Sequence, residues 1–149
     1  MDGKHAFVIM IKDKWWREFL RFRDEGRDVQ SYVQRGWAPP KGASLIFFYV
    51  VKPVGELAGY AEFIERKVGG ADELWREHGH ESVLNSAEQY FEFVKGQQRV
   101  SFIRFKELRK AAKPIPLNNL LMLLGVNRLA RRGFYINRET AEKLIAMME

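Results

Sequence analysis

The side chains in this sequence best equipped for chemistry are cations. Between residues 97 and 138 there are ten: Arg99, Arg104, Lys106, Arg109, Lys110, Lys113, Arg128, Arg131, Arg132 and Arg138. The only acid in that stretch is Glu107, whereas the rest of the chain is slightly acidic, so the net +6 arises here. Guanidinium and ammonium groups with few counter-charges attract phosphates, and release of condensed counterions makes such a cluster a binding surface for a polyanion. The competing possibility is a solvated face balanced by acids elsewhere, such as Glu88 and Glu92.

Aromatic rings are the second resource. Trp37, Tyr49, Tyr60, Trp75, Tyr90 and Tyr135 could each stack on an unpaired base, or each could be core. Trp37 stands apart because it lies in a loop beside Arg35 and Lys41 and next to Pro39 and Pro40, where a rigid turn would hold an indole exposed. A base could stack there while Arg35 or Lys41 meets its phosphate. Trp15 and Trp16 are adjacent, so a helix carrying them turns only one to the core.

The segment His78-Gly-His-Glu-Ser82 is the only cluster resembling an active site. Imidazole titrates near neutrality and ligates metals. However, no third ligand follows at helical spacing, and a polar surface loop is the expectation. With no cysteine in the chain, disulfides, thiolate metal sites and cysteine nucleophiles are excluded. No GxSxG, Walker A, GxGxxG or HExxH pattern occurs. No catalytic residue, metal or cofactor is therefore assigned.

These groups need a scaffold. At 149 residues, with 46% hydrophobic and 13% aromatic composition, the chain reads as one folded domain, residues 1–149. Its apolar runs are too short for a signal peptide or a membrane span, which makes the cytoplasm the default location. The pattern is α+β. Strands are expected at Ala6–Ile11, Val29–Gln34, Ser44–Lys52, Glu56–Arg66, Arg99–Leu108 and Gly133–Ile136. In the fifth, alternation would turn Val100, Phe102 and Phe105 inward and Arg104 and Lys106 outward. Helices are expected from an Asp13 cap towards Glu25, over Asp72–Glu77, from a Ser86/Gln89 capping box to Gly96, over Asn118–Leu124, and from an Asn137 cap over Arg138–Met148. The ProIlePro at 114–116 is expected to break the chain. The set suggests a small, half-open, mostly antiparallel β-barrel with flanking helices.

The run Lys41-Gly-Ala-Ser-Leu-Ile-Phe-Phe-Tyr-Val-Val-Lys-Pro, followed by Glu56-Leu-Ala-Gly-Tyr-Ala-Glu-Phe, resembles the central hairpin of the PUA-like superfamily, including its ASCH and EVE branches. Arg99-Val-Ser-Phe-Ile-Arg-Phe, Pro114-Ile-Pro-Leu and Arg132-Gly-Phe-Tyr-Ile-Asn-Arg-Glu are similar to the closing strands and tail of archaeal PUA-like proteins. Ala43 stands where the family's turn acid would be. The Lys, Glu and Arg of catalytic ASCH members have no counterpart near the second strand beyond Arg35. The resemblance implies the half-open barrel and binding of RNA, with tRNA, rRNA or a modified nucleotide as the partner.

The leading expectation is a cytoplasmic RNA-binding module that works through Arg35, Trp37, Lys41, Tyr49, Arg104, Lys106, Arg109, Lys110, Arg128, Arg131 and Arg132, around one cleft. An enzyme acting on a nucleobase or nucleoside is the alternative, with Lys41 or Lys52 and Glu62 or Glu81 as an acid–base pair. A protein-interaction module is the third. The oligomeric state, monomer or homodimer, is open.

Overall fold

The computed structural model describes residues 2–149, leaving Met1 outside the described residues. Among them lie six strands and five α-helices. The strands are β1 (Ala6–Ile11), β2 (Val29–Arg35), β3 (Leu45–Val50), β4 (Glu56–Gly69), β5 (Val100–Pro116) and β6 (Phe134–Ile136). The helices are α1 (Asp13–Asp24), α2 (Ala71–His78), α3 (Ala87–Phe93), α4 (Leu117–Leu124) and α5 (Arg138–Met148). No helix among the described residues is long and apolar enough to cross a membrane.

All six strands form one sheet in the order β2-β5-β4-β3-β1-β6. The β1–β3 pairing is parallel, with Phe7 opposite Ile46, and the other four pairings are antiparallel. The expected barrel is thus a mixed, unclosed six-stranded sheet. Three register irregularities bend the long β4–β5 ribbon, as bulges do by adding twist. β2 pairs only with the first half of β5, Val100–Lys106. At the other end β6 covers only Ala6, Phe7 and Val8 of β1. The remaining half of β1 therefore faces β2 across an open seam, which the Tyr32 hydroxyl bridges by donating to the Met10 carbonyl at 3.4 Å.

Both faces of the sheet are covered, because several strands are apolar on both sides. One cluster packs α1, through Trp16 and Phe19, against Phe48, Ile103 and Phe105. A second lies beneath α4 and α5, with Phe47, Leu57, Ile115, Leu120 and Leu144. A third joins α2 and α3, through Leu74 and Tyr90, to Val100 and Phe102. This double cover explains why simple alternation fails in β5. Phe102, Ile103 and Phe105 are all fully buried, and Arg104 is partly buried rather than outward.

Several boundaries also differ from expectation. β5 runs through Pro114 to Pro116 instead of stopping before them. Past Lys106 it pairs with β4 alone, so the prolines fall on a free edge that needs no N–H donor. Lys12, not Asp13, occupies the cap position of α1; Asp13 lies in the first turn, where its charge suits the helix dipole. The N-caps of α3 and α5 form as expected, although the Gln89 side chain reaches the Asn85 N–H and α3 ends at Phe93, short of Gly96. The Ser86 hydroxyl accepts from the Gln89 N–H at 3.1 Å, and the Asn137 side chain accepts from the Thr140 N–H at 2.8 Å.

Candidate functional site

The seam between β1 and β2 opens into a cleft of about 340 Å³ at its lower end, within the range of small-ligand sites. Phe7, Ile9 and Met10 supply one wall and Tyr32, Gln34 and Arg35 the other; Trp37 stands at the rim, with Arg131 and Arg132 facing in from the loop before β6. Three guanidinium groups thus share one cleft. Among the described residues, no carboxylate or imidazole lines it. With no acid to neutralise them, the cations focus a positive field into a partly apolar recess.

The loop carrying Trp37 is held at both ends. After β2, Gly36 adopts φ of 70°, in the left-handed region that glycine enters at little cost. The Ser101 hydroxyl donates to the Gly36 carbonyl at 2.6 Å and accepts from the Ala38 N–H at 3.1 Å. Further on, the Lys41 N–H donates to the Tyr135 hydroxyl at 3.1 Å. Arg66 donates to the Ala38 carbonyl at 3.0 Å, and its guanidinium lies 5.5 Å from the Trp37 ring centroid. Trp37 itself is 68% exposed. A large ring displayed on a pinned loop loses little freedom when a second ring stacks on it.

Gly133 brings the two loop arginines in. Its φ is 87°, and a side-chain carbon there would collide with the Val8 carbonyl and approach the Phe7 ring to 2.7 Å. Only glycine lets the chain pass that close to β1. On the opposite wall, burial raises the Tyr32 hydroxyl above the ordinary tyrosine value, with Gln34 partly offsetting it. Tyr32 thus remains a protonated donor.

Several residues expected at the cleft lie elsewhere. Tyr49 is 4% exposed and packs in the cluster beneath α4 and α5; burial pushes its hydroxyl up. As part of the alternating apolar register of β3, it offers no stacking face. Arg104 is spent on carboxylates: it donates to Glu81 at 2.9 and 3.0 Å, and it also pairs with Glu65. Lys106, Arg109 and Lys110 are exposed on β5 and do not line the cleft. Arg128 is exposed on the α4–β6 connection, and Lys41 is an exposed residue on the Trp37 loop. The structure therefore brings together Arg35, Trp37, Arg131 and Arg132, with Lys41 close by on the same loop. Gln34, Arg66 and Ser101 were missed, because their roles come from pairings far apart in sequence.

The histidine segment is also corrected, since Glu81 does not sit on a surface loop but is 4% exposed. Its carboxylate accepts from the Ser31 hydroxyl at 2.7 Å and from Nε and Nη2 of Arg104, with His78 Nδ1 at 3.4 Å. Burial alone would raise this carboxyl, but the Arg104 and Ser31 hydrogen bonds and both neighbouring charges outweigh it and hold it below the ordinary glutamate value. Of the acid–base pairs considered for a nucleobase enzyme, those that use Glu81 or Lys52 do not assemble. Glu81 is committed to Arg104, and Lys52 follows the end of the β3–β4 ladder opposite Glu62. No group of three or more metal-ligating side chains occurs among the described residues.

No known family model matches the chain. A Zymomonas mobilis protein described as an ASCH domain-containing ribonuclease is 23% identical over 146 residues, spanning 98% of this chain and 93% of that protein. The crystal structure of ASCH from Zymomonas mobilis superposes with a TM-score of 0.77 at 19% identity, covering 96% of this chain and 95% of that one. A tyrosine-to-phenylalanine variant of it gives 0.78 at 19% identity, with 97% and 99% covered. A serine-to-alanine variant gives 0.76 at 19% identity, with 99% of both chains covered. The chain has the ASCH fold, and the sequence similarity supports the ASCH/PUA-like superfamily.

Proposed function

We propose that this ASCH-fold protein binds RNA at an unpaired stretch, holding one base on Trp37 and the adjoining phosphates on Arg35, Arg131 and Arg132. The observation that carries this reading is the convergence of three unneutralised guanidinium groups and an exposed, pinned indole on one cleft. A single-stranded nucleic acid offers the complementary features, since its bases are free to stack and its backbone is anionic. Tyr32 and Gln34 line the opposite wall, where the hydroxyl oxygen and the amide can meet the polar edge of a stacked base.

Filter binding of a single-stranded RNA at 50 and 200 mM salt tests it. Affinity is expected to fall steeply with salt, with a logarithmic slope of about 0.7 per phosphate contacted. Binding that ignores salt, or no binding at the lower concentration, would reject the reading. Cleavage of the bound RNA is the second reading, favoured by the description of the Zymomonas relative as a ribonuclease. End-labelled RNA recovered intact after prolonged incubation at saturating protein would leave binding as the whole activity.

A further inference from the structure

Two more recesses continue from the cleft, and each shares residues with the one before it. We infer that together they form one track for a single RNA strand of at least three nucleotides, with the Trp37 cleft as its first subsite. This rests on the RNA-binding reading above and extends it to the length and course of the strand.

The second recess, of about 290 Å³, shares Met10, Tyr32 and Gln34 with the first, so the two lie on either side of Tyr32 along the same seam. Its character is different. Trp15, Phe93 and Val83 make it mainly apolar, suited to a base rather than a phosphate. Cations flank it, with Lys12 in the lining and Lys14 Nζ 4.5 Å from the Trp15 ring centroid. Its far wall, residues 82–84, is held by the neighbouring Glu81, bonded to Ser31 on β2 and Arg104 on β5. Arg27 reinforces it by donating to the Ser82 carbonyl at 2.8 Å.

The third recess is an open trough of about 730 Å³ that shares Ser82 and Leu84 with the second. Arg27, Arg76, His80 and Trp75 line it. Arg21 lines it too, but it is neutralised by Glu18 and Glu25. The Arg27 guanidinium carbon lies 3.7 Å from the Phe22 ring centroid, and the group donates to a carbonyl rather than forming an ion pair with a carboxylate. Cationic cleft, apolar recess and cationic trough follow one another as phosphate, base and phosphate do along a strand. None of the trough's cations belongs to the basic stretch 97–138, so the third recess adds positive charge from outside that excess.

Fluorescence anisotropy with labelled oligouridylates of two, four and eight nucleotides tests the track. Affinity is expected to rise beyond the dinucleotide. Phe93→Ala and Arg76→Glu, both at exposed positions, should each weaken the eight-nucleotide ligand about fivefold or more, in line with the loss of a stacked base or a phosphate contact. The dinucleotide should be unaffected by either, whereas Trp37→Ala should weaken both ligands. Equal affinity for all lengths, with neither Phe93→Ala nor Arg76→Glu altering the longest, would overturn the track while leaving the cleft intact. Failure of the unsubstituted protein to bind any of the three lengths would overturn the RNA-binding reading, and the track with it.

Discussion

Trp37 and Glu81 are the two residues whose surroundings most oppose their ordinary preferences, and they do so for opposite reasons. An indole left 68% exposed contributes little to folding, so its removal should separate binding from stability. Trp37→Ala is expected to lower RNA affinity by roughly 5- to 100-fold, the range for one lost stacking contact. The melting temperature should stay within about 2 °C, because exposed substitutions change stability by roughly half a kcal/mol at most. Binding isotherms and a thermal melt on the same preparation check both halves. Glu81 is the reverse case, a buried carboxylate whose loss leaves Arg104 with Glu65 as its remaining ion-pair partner. Glu81→Gln should cost about 1–3 kcal/mol, the range for weakening a buried hydrogen bond to a charged group that keeps a second partner. Because the folded carboxyl is held below its ordinary value of 4.5, its stabilisation is complete above that pH and is lost as pH falls through the lower folded value. The melting temperature of the unsubstituted protein should therefore drop on acidification below about 4.5, and the drop should be shallower in Glu81→Gln. Parallel acid profiles would show that Glu81 is not the titrating group.

At the scale of elements, two glycines decide where strands can pass. A side-chain carbon on Gly59 would strike the Arg109 carbonyl and come within 2.8 Å of the Trp16 ring. β4 must therefore run against β5 and α1 at a distance only glycine permits. Gly59→Val should destabilise by about 1–3 kcal/mol or more through overpacking, lowering the melting point by several degrees. Gly133→Ala should act differently, pushing the Arg131–Arg132 loop off β1 and reducing RNA affinity more than the single change Arg131→Ala does. Elements of this kind were readable wherever the signal is local. The Ser86 and Asn137 caps and the apolar run of β3 each depend on residues within a few positions. What escaped was non-local. Arg104 looks outward by alternation, but helices cover both faces of β5, and Glu81, 23 positions away, arrives to meet it. Tyr49 looks available for stacking until α4 and α5 close over it, and nothing near Ser101 in sequence announces that it pins a loop 65 residues earlier.

For the whole molecule, the placement of charge matters more than its total. Ten bases crowd residues 97–138, yet folding divides them into separate groups. Arg131 and Arg132 enter the cleft, Arg104 is neutralised by Glu81 and Glu65, and Lys106, Arg109, Lys110 and Lys113 remain exposed along β5. A field summed over the entire surface would speed encounter with any polyanion without distinguishing these groups. Contact with phosphate does distinguish them, because each neutralised phosphate adds to the salt dependence. Replacing Arg131 and Arg132 together by alanine should flatten the logarithmic salt slope by about 1.4, the value for two single-strand phosphates. Replacing Lys110 and Lys113 together removes the same net charge, but it should reduce affinity mainly at low salt and leave the slope nearly unchanged. Binding measured at four or more salt concentrations for the two double variants compares them at equal net charge. A slope flattened by the Lys110/Lys113 change and left unchanged by the Arg131/Arg132 change would move the interface from the seam to the exposed residues of β5.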